Sequence, residues 1–102
     1  MKTHKDLVVW QKSIQFVTEV YKITRDFPRD ELYGLVSQLR RAAISVPSNI
    51  AEGAGRFSKR EFCQFLYFSL GSTSELETQL IISRNLDYLG NEVFNNFITN
   101  LS

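Results

Sequence analysis

The residues best suited to chemistry fall in one stretch, Ser37 to Glu61, which holds five of the chain's twelve Lys and Arg residues. Arg40, Arg41, Arg56, Lys59 and Arg60 are candidates for contacts to nucleic-acid phosphates, because guanidinium and ammonium groups bind phosphate oxygens without reading base sequence. Three of them surround Ser58, which with Glu61 reads as a capping box: Ser58 as N-cap, Glu61 reaching back. The free N–H groups and dipole of a helix N-terminus favour an anion there. The alternative is a solvated turn whose charges serve solubility. The glycines nearby, in Gly53-Ala54-Gly55-Arg56, have neither the spacing nor the preceding strand of a P-loop or a dinucleotide fingerprint.

A second set is polar and uncharged for the most part. Arg41, Ser45, Ser48 and Glu52 recur at helical spacing and so line one side, with Asn49 beside them and Gly34 and Gln38 extending the row. Two readings are open: close helix approach over the serines, with the charged ends paired to neighbours, or a polar groove of Ser45, Ser48, Asn49 and Glu52 for a protein partner. Catalysis is disfavoured, because no base accompanies the serines. The one histidine, His4, stands near the start of the chain, and no Glu-x-x-His pair of the di-iron kind occurs. Cys63 is the one cysteine, so an internal disulfide and a cysteine-based zinc cluster are excluded, and it reads as a buried filler. Glu75 and Glu77 lie two apart and face different sides of a helix; Glu77 is expected to meet Arg40 or Arg41. No enzyme, metal or cofactor is expected.

The elements that must position these residues are helical throughout. At 102 residues, 43 % apolar and 23 % charged, the chain has the makeup of one folded domain, residues 1–102, with a modest core. Its net charge is +1, unevenly spread: eleven Lys and Arg against six Asp and Glu in residues 1–60, and one against five in residues 61–102. One basic face is therefore compatible with a nearly neutral whole. The opening MKTHKDLVVWQKS has no signal-peptide character, and no run approaches the ~18 apolar residues of a membrane span, so the cytoplasm is expected.

The first segment runs from about Asp6 to Asp26. One apolar row holds Leu7, Trp10, Ile14, Val17, Tyr21 and Thr24; a second holds Val9, Phe16, Val20, Ile23 and Phe27. So wide an arc suits either burial between two neighbouring helices or contact with another subunit. Phe27-Pro28-Arg29-Asp30 connects, with Asp30 as cap of a second helix from about Glu31 to Ala54. Leu32, Leu35, Val36, Leu39, Ala43, Val46 and Ile50 form its core stripe. Pro47 interrupts it; a kink is expected rather than a break, since the stripe keeps phase from Ala43 through Val46 to Ile50. A glycine is expected to leave this helix in the left-handed conformation.

The third segment, Lys59 to about Tyr88, is the longest. Its seam is Phe62, Leu66, Ser69, Thr73, Leu76, Leu80 and Ser83, with Ser69 and Thr73 small enough for close approach to Pro47 or to a bulky aromatic. Two further rows, Cys63, Tyr67, Leu70 and Ile81, and Phe68, Ile82 and Leu86, exceed what one core can cover, which points to association. After Leu89-Gly90, with Asn91 as N-cap, a short fourth helix from about Glu92 presents Phe94, Phe97, Ile98 and Leu101. The expected fold is all-α, an antiparallel up-down-up-down four-helix bundle with the second helix kinked at Pro47 and a short fourth helix.

Particular motifs carry a resemblance to a known family. Asp6-Leu7-Val8-Val9-Trp10, Leu32-Tyr33-Gly34-Leu35, Gln38-Leu39-Arg40-Arg41-Ala42-Ala43, Val46 through Gly53, and Gly71-Ser72 through Glu75-Leu76-Glu77 resemble the bacterial four-helix-bundle family also called the intervening-sequence protein of 23S ribosomal RNA, from about Asp6 to Leu89. The resemblance implies a four-helix bundle and suggests a ring-like homopentamer, from genes often carried in insertions within large-subunit ribosomal RNA genes. Nucleic-acid binding is suggested for the family. A related group includes accessory proteins that partner a reverse transcriptase. Family members usually carry a longer last helix than the one read here.

The expected function is thus a non-enzymatic, homo-oligomeric protein that binds RNA or another nucleic acid through Arg40, Arg41, Arg56, Lys59 and Arg60. The alternative is a protein-interaction scaffold. No platform of interleaved aromatic and basic residues is visible in the sequence.

Overall fold

The computed structural model describes residues 3–101. Among them the chain forms four α-helices, α1 (Val8–Thr24), α2 (Leu35–Ala54), α3 (Lys59–Asn85) and α4 (Asn91–Leu101), with short 3-10 turns at His4–Asp6 and Arg29–Glu31. They pack as a four-helix bundle with overall dimensions of 44 × 23 × 18 Å. None of the helices is long and apolar enough to cross a membrane.

The core follows the stripes of the sequence. Val36, Leu39, Ala43 and Ile50 of α2 and Leu76 and Leu80 of α3 are buried, along with Ser69 and Ser83 of the α3 seam. On α1 both rows contribute: Val20 and Thr24 are buried and Phe16 and Val17 pack against the core, as does Phe27 just past the helix, whereas Ile14 of the first row and Val9 of the second are exposed. Edge-on contact of Phe16 with Phe97, at 5.2 Å between centroids, joins α1 to α4. The Arg84 guanidinium lies 4.1 Å above the Phe94 ring and holds α4 on α3.

α2 runs unbroken through Pro47, which is buried. The small residue opposite it has the expected role. The Ser69 hydroxyl donates to the Val46 carbonyl at 3.0 Å, so α3 approaches α2 closely beside the proline.

The ends of the helices differ from expectation in four places. α2 begins at Leu35, four residues later than expected, because Arg29–Glu31 forms a 3-10 turn. The group at its N-terminus is Glu31, not Asp30: Glu31 Oε1 accepts from the Leu35 N–H at 3.4 Å, and Oε2 accepts the Tyr88 hydroxyl at 2.9 Å. No glycine among the described residues has a positive φ; Gly55 ends α2 in the right-handed region, and Asp87 takes the left-handed conformation after α3. Ser58 caps α3 by accepting from the Glu61 N–H at 3.1 Å, but the return bond from Glu61 does not form. Asn91 lies inside α4 rather than capping it, since the Phe94 N–H donates to the Gly90 carbonyl at 3.0 Å.

α4 has 11 residues and α3 has 27, about 16 Å against about 40 Å of helix. One row on α3 records the difference. Ile81 packs against the core, while Cys63, Tyr67 and Leu70, earlier on the same face, are exposed. Cys63 is therefore a surface thiol and not the buried filler expected from its apolar neighbours.

Candidate nucleic-acid interface

The five cations divide into two groups at opposite ends of α2. Arg40 and Arg41 stand in its first half; Arg56, Lys59 and Arg60 surround the turn after it. Arg41 lies about 20 Å along the helix from Ala54, at 1.5 Å per residue.

Arg40 is held in place by the protein. Its Nε donates to Thr24 Oγ1 at 3.0 Å, an Nη donates to the Tyr21 carbonyl at 3.4 Å, and the guanidinium sits 4.4 Å from the Tyr21 ring centroid. Thr24 is buried and itself donates to the Val20 carbonyl at 2.7 Å, which fixes its oxygen as an acceptor. Arg41 is exposed. The expected ion pair from Glu77 to Arg40 or Arg41 does not form; the ion pairs among the described residues are Lys22–Glu19 and Arg56–Glu52. The reason is phase: Glu75 and Glu77 point to solvent, while Arg40 turns toward α1.

Arg40 and Arg41 border a cleft of about 320 Å³ whose other walls include Tyr21, Leu32, Tyr33 and Ile44. No carboxylate lines it. Tyr33 is 94 % exposed, so its ring makes almost no packing contact with the bundle.

At the other end, Arg56 donates to Glu52 Oε1 at 3.0 Å and lies 4.9 Å above the Phe65 ring. Lys59 and Arg60 are exposed and make no ion pair. Phe57, between them and Arg56, is fully exposed. An exposed aromatic residue therefore stands near cations at both ends of α2, Tyr33 in the cleft with Arg40 and Arg41 and Phe57 next to Arg56 in the chain. Tyr33 and Phe57 belong to none of the apolar stripes of the sequence, so periodicity does not single them out.

The polar row between the two ends is largely engaged within the bundle. Ser45 is hydrogen-bonded to Ser72 of α3 and to the Ala42 carbonyl. Asn49 Nδ2 donates to the Ser45 carbonyl at 2.8 Å, and Glu52 holds Arg56. Ser48 is exposed. These contacts favour close helix approach over an open polar groove. The larger groove lies elsewhere, about 770 Å³ between α1, α2, α3 and the end of α4, with Val9, Phe16, Val46 and Leu76 in its walls.

Among the described residues no group of three or more His, Cys, Asp or Glu side chains is placed to hold a metal ion. The fold and these surfaces define a small helical bundle with cation–aromatic sites at the two ends of one helix. The chain belongs to the 23S rRNA-intervening sequence protein family, whose model matches residues 5–102. No curated protein matches it.

Proposed function

We propose that the protein is a non-enzymatic, self-associating nucleic-acid-binding protein, with RNA as the first candidate ligand. The observation that carries this reading is that Arg41, Lys59 and Arg60 are exposed and free of carboxylate partners, while acidic side chains dominate the rest of α3. Such cations give affinity by displacing condensed counterions, without sequence preference. Arg40 and Arg56 support the two sites more through position than through free charge.

Self-association is supported by the uncovered face of α3, where Tyr67 is 72 % and Leu70 61 % exposed. Contiguous apolar surface of this kind is characteristic of association sites. A homopentamer, suggested by the family resemblance, would repeat each modest basic patch five-fold and raise its avidity.

The test is the solution mass by light scattering at several concentrations, followed by RNA titrations across salt. A mass near five chains and a log–log salt slope of about −2 for three phosphates contacted on a single strand are expected. Charge reversal at Arg41, Lys59 and Arg60 should abolish binding with helicity unchanged. Salt-insensitive binding, or none at low salt, overturns the reading.

The second reading, a protein-interaction scaffold such as an accessory subunit of a reverse transcriptase, is favoured by the 770 Å³ groove. Substitutions in its walls would then weaken the partner complex while leaving the basic residues irrelevant.

A further inference from the structure

We infer that the nucleic acid bound is single-stranded and lies along the outer side of α2, with one base stacked on Tyr33 and another on Phe57. The inference rests on the nucleic-acid reading above and names its ligand class.

Three observations carry it. Tyr33 and Phe57 are the most exposed aromatic rings described, and neither contributes to the core. Each stands beside cations: Tyr33 lines the cleft with Arg40 and Arg41, and Phe57 lies between Arg56 and Lys59. Arg41, Ser48 and Glu52 share one side of α2 and are exposed, and Ser45 among them is bonded to Ser72 of α3, so these residues mark an exposed edge along the α2–α3 seam between the two ends. The single anion on that edge, Glu52, is neutralised by Arg56 at 3.0 Å.

A duplex cannot use such rings, because its bases are stacked on one another and only phosphates and groove edges face out. A single strand offers every base a free π-face, and basic grooves with aromatic platforms are how proteins hold it without sequence preference. The separation sets a length. From Tyr33 to Phe57 the chain passes along all 20 residues of α2, about 30 Å of helix, which corresponds to about nine nucleotides at the 3.4 Å charge spacing of one strand.

The experiment uses fluorescein-labelled oligouridylates of about three to twelve nucleotides and a blunt-ended RNA duplex of matching charge, at low salt, with the intact protein. Affinity for the oligouridylates should climb steeply up to about nine nucleotides. Tyr33→Ala and Phe57→Ala should each weaken oligouridylate binding about tenfold and leave duplex binding unchanged, with Trp at either position restoring oligouridylate binding. Ultraviolet crosslinks should map to Tyr33 and Phe57. Both rings are exposed, so the substitutions remove no packing; equal melting temperatures would check this. Oligouridylate binding undiminished in both alanine variants overturns the inference while the nucleic-acid reading stands. A fall in assembly mass on either substitution places the rings in a subunit contact and also overturns it. Absence of all binding in the parent protein removes both.

Discussion

A Cβ on Gly53 would stand 2.8 Å from the Cβ of Phe65 and 3.0 Å from a ring carbon of Phe62. Gly53 is buried in the last turns of α2, and its missing side chain lets α3 start against that helix at close range. The residue thus sets how closely the start of α3 packs on the end of α2.

Gly53→Ala should therefore destabilise the fold, although alanine is the better helix former by up to about 1 kcal/mol. Overpacking of a close contact costs about 1–3 kcal/mol. The backbones of both helices would have to separate, since the clash is with a Cβ rather than the end of a flexible chain. A net loss of about 1 kcal/mol in chemical denaturation is expected. Gly71→Ala, where nothing lies within 4 Å, should be neutral or stabilising.

Arg40 and Arg41 are adjacent yet should respond differently. Arg40→Ala removes charged hydrogen bonds to Thr24 and Tyr21 and the stacking on Tyr21, a loss of about 1–3 kcal/mol. Lysine there should not restore it, because the planar fork makes these contacts. Arg41→Ala should stay within about 0.5 kcal/mol in stability and instead lower nucleic-acid affinity. Thermal melts paired with binding titrations separate the two.

The Tyr88–Glu31 bond joins the connector before α2 to the one after α3. The hydrogen bond to Glu31 raises the Tyr88 pKa above its usual 10.0, with desolvation and the Glu31 charge adding to it. Because the folded value lies above the unfolded one, the contribution is fully present below pH 10.0 and is lost as pH rises through the folded value. Tyr88→Phe should lower stability at neutral pH and show a shallower alkaline loss of stability. Denaturation at stepped pH measures both.

Gln79 is buried, and its Oε1 has no hydrogen-bond partner. An orphaned oxygen of this kind costs about 1–3 kcal/mol. Gln79→Met keeps the length and removes the polar atom, so a rise in melting temperature of a few degrees is expected. A fall would show that the amide is satisfied in the assembled protein.

Tyr67→Glu with Leu70→Glu should reduce the mass in light scattering toward a single chain without loss of helicity. Neither side chain supports the core, and paired charges on that face would oppose its burial.

Much of the bundle was legible because its information is local. The α3 seam from Phe62 to Ser83 repeats at helical spacing, so a linear reading identifies the buried face. The continuity of α2 through Pro47 followed from the unbroken phase of Ala43, Val46 and Ile50. Helix ends were less legible, because a cap is decided by whichever group reaches the free N–H. Asp30 has the better capping side chain, yet Glu31 takes the place because Tyr88, fifty-seven residues away, holds its other oxygen.

The candidate site divides in the same way. Residue order alone determined that five cations lie within or just after α2 and that helical phase aligns Arg41 with Ser45, Ser48 and Glu52. Only the packed structure decided which were free. Arg40 turns inward because Thr24 and the Tyr21 carbonyl meet it from α1, a contact that no spacing within α2 encodes. Tyr33 and Phe57 became candidates for the opposite reason: every neighbouring helix leaves them uncovered. Periodicity states which faces are apolar, but exposure depends on what the rest of the chain places against each face, and that is a property of the tertiary structure.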